Sequence, residues 1–192
     1  MIDFNFHTDN KLQSGSILLS EPFLNDDYFS RSVILLCDHS EEGSFGFVLN
    51  KFVDTKISDF VEGFPAVTTN ISIGGPVDTA NLFYIHSLGS QIKNCLPASK
   101  GLFIGGDFND IKKALIDQPE KENKIRFFIG YSGWEKNQLT EELASKAWIV
   151  LNNVNNDQIL DTKNENIWKE TLEKLGGKFK LMAQFPINPS DN

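Results

Sequence analysis

Gly130-Tyr131-Ser132-Gly133-Trp134-Glu135-Lys136-Asn137-Gln138-Leu139, running on to Trp148, is the stretch that decides how this chain is read. Just before it, Ile125-Arg126-Phe127-Phe128-Ile129 is β-branched and aromatic, the composition of a strand with little room for water on either face. Gly130 and Gly133 bracket Tyr131-Ser132, and glycine lets a backbone take positive φ or approach a neighbour closely, so a glycine turn is expected there. After Trp134, the residues Leu139, Leu143 and Ala147 recur at i, i+4 and i+8, one face of a helix of about three turns. Asn137 is its expected N-cap, with Glu141 and Glu142 near the positive end of the helix dipole. The plain reading is a strand, a turn and a helix docked by two tryptophans. The functional reading is a ligand-binding turn beside Trp134.

Working outward, upstream strands are expected over 16–20, 31–38 and 45–50. The second is apolar on both faces, hence central, and the third returns antiparallel after the turn Glu41-Glu42-Gly43. A short helix over 57–63 precedes strands over 71–73, 82–86 and 102–104. Asp107 caps a helix over 108–118 whose face is Phe108, Ile111 and Leu115, and Pro119 ends it. Downstream, a strand over 148–151 leads to Thr162-x-x-Glu165, a capping box opening a helix with the face Trp168, Leu172 and Leu175. Gly176-Gly177 closes that helix, and 179–185 is expected to be extended. One domain over 1–192 is expected, with loose termini over 1–14 and 186–192.

Bulk properties narrow the function classes. The formal net charge of −8 repels phosphate backbones, and no run of Lys and Arg offsets it, so direct nucleic-acid binding is disfavoured. Cys37 and Cys95 are too few for a disulfide framework and read as buried thiols in a reducing cytoplasm. The residues after Met1 lack the pattern of a signal peptide, and the longest apolar run, Val33-Ile34-Leu35-Leu36-Cys37, is far short of a membrane span.

Candidate chemistry is sparse. Cys37-Asp38-His39 places a thiol and an imidazole two apart, on one face of a regular strand, but Cys37 ends an apolar run and reads as core. His7, His39 and His86 are scattered, and the Cys and His spacing suits no metal site. No GxGxxG, P-loop, G-x-S-x-G or H-E-x-x-H pattern occurs, so no cofactor and no catalytic residue is assigned. Gly74-Gly75, Gly105-Gly106 and Gly130/Gly133 follow strands and read first as structural turns. Arg31, Ser32, Asn50, Lys51 and Gln138 border apolar segments, either pairing with one another or forming the polar rim of a small cleft.

Five motifs in order then carry a resemblance: Phe29-Ser30-Arg31-Ser32-Val33, Cys37-Asp38-His39, Gly46-Phe47-Val48-Leu49-Asn50-Lys51, Gly74-Gly75-Pro76-Val77, and Gly130-Tyr131-Ser132-Gly133-Trp134 with Gln138-Leu139-x-x-Glu142-Leu143. Over about 14–177 the chain resembles the bacterial YqgE/AlgH family. It departs at Phe52, where the family often has proline, and at Asn137, where glycine is usual. The resemblance implies a single mixed α/β domain whose bifurcated sheet forms a pseudo-barrel flanked by helices, and it brings no established enzyme activity with it. Some members are labelled transcriptional regulators, yet no helix-turn-helix with a basic recognition helix is visible. The leading expectation is a non-enzymatic cytoplasmic protein binding a small molecule or a protein partner. Its candidate surface is Arg31, Ser32, Asn50, Lys51, Gly74, Gly75, Tyr131, Trp134 and Gln138. The alternatives are a regulator acting on DNA and a thiol-dependent enzyme using Cys37 and His39.

Overall fold

The structure, a computed structural model, describes residues 11–186, so most of the loose termini expected over 1–14 and 186–192 lies outside the described residues. Strands β1 (Ile17–Ser20), β2 (Val33–Ser40), β3 (Gly43–Val48) and β4 (Phe52–Val53) come first, then helix α1 (Ile57–Phe60). Strands β5 (Ile71–Ile73), β6 (Val77–His86), β7 (Leu96–Ser99) and β8 (Leu102–Ile104) follow, then α2 (Phe108–Asp117). The chain continues through β9 (Ile125–Glu135), α3 (Gln138–Ala144), β10 (Trp148–Leu151), α4 (Asn156–Leu160), α5 (Ile167–Leu175) and α6 (Gly177–Met182).

The result is a mixed α/β domain organised on β9. One flank of β9 pairs antiparallel with β6, from His86↔Ile125 to Val77↔Tyr131. Ser72 and Ile73 of β5 run parallel to Phe128 and Ile129, and beyond them Gly43–Gly46 of β3 pair with Ser132–Glu135. The sheet order is therefore β10-β1-β2-β3-β9-β6-β8-β7, with β4 and β5 branching off the path. The fork is held at Gly74. Its N–H donates to Ile129 O (2.8 Å), while its carbonyl accepts from Val48 N (2.9 Å) and from Ser132 Oγ (2.9 Å). The two ends of the sheet curl towards each other, so that Gly15 before β1 lies against Ser99 of β7 and Asn156 Nδ2 donates to Lys100 O (3.0 Å). Inside the curl sit Leu19, Leu35, Phe47, Ile85, Leu102 and Phe128, which α5 closes from one side with Trp168 and Leu172.

Several sequence expectations need correction. The turn expected at 130–133 is not a turn. β9 runs straight through it, because β3 supplies a new hydrogen-bonding partner where β6 leaves, and Gly130 (φ 68°) absorbs the bend within the strand. The helix expected at three turns is the seven-residue α3, and Asn137 precedes it in a left-handed conformation (φ 67°) without a side-chain cap. Thr162 does not open a capping box. It is buried, its hydroxyl accepts from Asn70 N (3.3 Å), and α5 starts only at Ile167. Residues 179–185, expected to be extended, begin inside α6, where Met182 and Ala183 bury against the molecule. The helix expected over 57–63 is a single turn. Asp107 caps α2 as expected, its carboxylate accepting from Asn109 N at 2.8 Å.

Candidate functional site

Where β9 passes from β6 to β3, the mouth of the curled sheet opens as a cleft of about 870 Å³. That volume is in the range of small-ligand sites, which favour the mouths of barrels. Its floor is a relay of aromatic rings leading out of the core. Phe47 stacks on Phe128 (4.3 Å between centroids) and meets Phe45 (6.1 Å) and Phe83 (6.0 Å), which in turn contact Tyr131 at 6.2 and 5.5 Å. Phe128 and Phe47 are fully buried, whereas Phe45, Phe83 and Tyr131 are only partly covered. The register explains why. Phe45 lies across from Gly133, so the β9 residue directly opposite brings no side chain over its ring, and Tyr131, two residues along β9, meets it only at a steep angle.

A bulge shapes the rim. Between Leu36 and Asp38 the pairing with β3 slips by one residue, leaving Cys37 as the extra one. A bulge re-aims the residues that follow it. Cys37 still points into the core, but Asp38 now sits opposite Phe45 and, with Ser40, lines the cleft. The remaining polar rim is Glu42, Ser44, Glu135 and Gln138, with Val77 and Ile104 on the apolar side. The lining holds three carboxylates and no basic residue.

The sequence-predicted surface divides in two. Tyr131, Trp134 and Gln138 line the cleft. Trp134 is 5 % exposed and serves as wall more than as contact. Its indole N–H donates to Glu142 Oε2 (2.9 Å), and that same oxygen accepts from Trp148 Nε1 (2.6 Å). Gln138 Nε2 donates to Glu142 Oε1 (3.0 Å), while Gln138 Oε1 takes Glu135 N (3.0 Å) and so fastens the end of β9 to the start of α3. Glu142 therefore clamps both indoles. Its place four residues after Gln138, between two tryptophans, was the available signal for that role. Glu142→Ala should lower unfolding stability by about 2 kcal/mol, since two buried indole donors lose their acceptor. Urea unfolding followed by tryptophan fluorescence checks this, and a loss under about 0.5 kcal/mol would contradict the clamp.

Arg31, Ser32, Asn50 and Lys51 lie outside the cleft lining. They are spent on tying the segment between β1 and β2 into place. Asn50 Oδ1 accepts from Val33 N (2.9 Å) and its Nδ2 donates to Arg31 O (2.8 Å), fixing Arg31 at a φ of 50°. Ser32 Oγ donates to Phe29 O (2.8 Å), and Lys51 Nζ donates to Tyr28 O. Arg31 donates to Phe185 O and stacks on Trp168, 5.1 Å from the ring centroid. Gly74 and Gly75 also stay out of the lining and act at the fork. The single rim expected from these residues is thus an internal brace plus a separate cleft.

The bulge also separates Cys37 from His39. Cys37 belongs to the inner core, while His39 Nδ1 pairs with Ser44 Oγ (2.8 Å) on the other face. Burial pushes the Cys37 thiol far above its ordinary range, with Asp38 adding to the effect, which disfavours a thiolate there. Cys95, expected to be buried, is only partly so, and both cysteines are free. Among the described residues no group of three His, Cys, Asp or Glu side chains is placed to hold a metal ion.

Sequence reasoning passed over Arg126. It is fully buried inside β9, and its guanidinium donates to Ser72 Oγ (3.0 Å), Ile159 O (2.6 Å), Asp161 O (2.7 Å) and Leu49 O. Burial lowers its pKa, and nearby Asp161 works the other way.

A family profile described as AlgH-like matches residues 17–180. A UPF0301 protein of Bacteroides thetaiotaomicron is 43 % identical over 192 residues, covering 98 % of this chain and 96 % of its own. The UPF0301 protein BF2109 of Bacteroides fragilis is 41 % identical over 191 residues, with 98 % and 96 % covered. The crystal structure of protein DIP2367 from Corynebacterium diphtheriae superposes with a TM-score of 0.76 at 22 % identity, over 92 % of this chain and 94 % of that one. The solution structure of AlgH from Pseudomonas aeruginosa gives 0.70 at 24 % identity, over 90 % and 94 %. These two share the fold, and the profile and the curated relatives settle the lineage: the chain belongs to the AlgH-like family.

Proposed function

We propose that the protein is a non-enzymatic, cytoplasmic binding protein that holds a ligand or partner in the cleft floored by Phe45, Phe83 and Tyr131. The observation that carries this reading is the incomplete cover of those rings at the mouth of the sheet, opposite the bare Gly133. Partly exposed aromatics in a concave site offer large apolar area at low entropic cost. The free cysteines favour a reducing compartment, and among the described residues no helix is long and apolar enough to cross a membrane. The alternatives gain less. A thiol enzyme has no accessible nucleophile in Cys37. A DNA-binding regulator has an acidic cleft and a net charge of −8 to overcome, so any regulatory effect of this protein runs through the cleft's partner.

The test is a fragment panel of small aromatic and aliphatic compounds titrated into ¹⁵N-labelled protein. Amide shifts should cluster on Ser44, Phe45, Tyr131 and Gly133, and Tyr131→Ala should weaken the best binder about fivefold. Shifts clustering elsewhere, or none at all, would remove the cleft as the site.

A further inference from the structure

We propose that the cleft recognises a basic-apolar segment of a partner protein, an exposed stretch presenting Lys or Arg beside a large apolar side chain. This rests on the cleft being the binding site.

Two features of the cleft name the occupant. Its floor offers the partly covered rings of Phe45, Phe83 and Tyr131, and aromatic faces attract both apolar groups and cations. Its rim carries Asp38, Glu42 and Glu135 with no basic residue in the lining. The rim is therefore complementary in charge to a cation brought from outside. Asp38 stands directly across from Phe45, so a cation bonded to it passes over a ring. Carboxylate and aromatic together select a side chain with an aliphatic stem and a charged head, which is the form of Lys and Arg.

The shape argues for a chain segment over a free small amine. The hollow is open to solvent and does not enclose its contents. Small-molecule sites bury most of the ligand surface, and although the volume here would hold one, an open hollow with charges on its rim leaves room for a chain segment that is only partly buried.

The experiment is selection from a random twelve-residue peptide display library on the full chain, followed by fluorescence polarisation of the enriched peptides. The expected set pairs Lys or Arg with Leu, Ile, Phe or Trp. Its affinity should fall about tenfold on the triple change Asp38→Asn, Glu42→Gln, Glu135→Gln, and again with added salt. Circular dichroism establishes that the variant is folded. Enriched peptides that are neutral or acidic, yet lose binding on Tyr131→Ala, would overturn the cationic class and leave the cleft as the site. Peptides indifferent to Tyr131→Ala would overturn both. Phenethylamine or spermidine binding more tightly than any enriched peptide would overturn the partner segment in favour of a small organic cation.

Discussion

Replacing Arg126 by methionine should lower the free energy of unfolding by about 4 kcal/mol, the largest single loss expected in this protein. The sign is not obvious in advance, because burying a guanidinium is itself costly, and exchanging whole buried ionic groups for apolar ones can be neutral. Here only one side of the arrangement is exchanged. The carbonyls of Leu49, Ile159 and Asp161 and the Ser72 hydroxyl stay buried with nothing to receive. Each orphaned acceptor costs about 1–3 kcal/mol, which exceeds the relief from removing the charge. Two of those carbonyls sit at the C-terminal end of α4, where helix carbonyls have no intrahelical donor and the dipole favours a cation. Arg126 is thus the cap of α4, delivered from a strand. It also joins β9 to β5 and to the exit of β3, the elements that make the fork. Arg126→Lys should recover part of the loss, since an ammonium keeps the charge but cannot span acceptors on several sides. Urea denaturation followed by circular dichroism measures both, and a methionine variant within about 1 kcal/mol of wild type would refute the cap.

Why Arg126 escaped a reading of the sequence is instructive. Within Ile125-Arg126-Phe127-Phe128-Ile129 the periodicity correctly announces a buried strand, and one arginine in such a run looks like an edge or a flaw. Its partners come from 54 residues upstream (Ser72) and 33 and 35 residues downstream (Ile159 and Asp161), so no local pattern reports them. The same limit governs the site. Central β2, the hairpin to β3, the cap at Asp107 and the Trp168/Leu172 face follow from local chemistry and were legible. The cleft depends on facts of register: a bulge at Cys37 that turns Asp38 towards Phe45, and a glycine at 133 opposite that ring. Gly130 and Gly133 were legible as special positions, but whether a glycine bends a turn or thins a strand is settled by which neighbour pairs with it. For the same reason Arg31, Asn50 and Lys51 are legible as polar groups needing partners, while which partners they take is not. Asn50 and Lys51 take main-chain atoms of the segment they brace, and Arg31 takes Phe185 O.

Gly74→Ala should cost about 3 kcal/mol and, unlike Arg126→Met, should damage the cleft as well. A β-carbon at 74 would fall 2.2 Å from Gly130 O and 2.8 Å from Phe47 Cδ1. The first clash is with backbone, which cannot rotate away, so β5 and β9 must separate. The second is with the ring that links Phe128 in the core to Phe45 and Phe83 on the cleft floor. Separation also strains the bonds from the Gly74 carbonyl to Val48 N and Ser132 Oγ, which hold β3 and β9 together above the branch point. Gly133→Ala is the control: its φ is ordinary for any residue, and its β-carbon would meet Tyr131 Cε2 at 3.4 Å, so it should cost under about 1 kcal/mol while placing a methyl group opposite Phe45. The two variants thus part company in a measurable way. If the fork builds the site, Gly74→Ala lowers both the unfolding midpoint and the affinity of whichever fragment or peptide binds best, while Gly133→Ala lowers only the affinity. Equal stability losses in the two variants would mean that the close approach at Gly74 is not what holds the sheet open at this point.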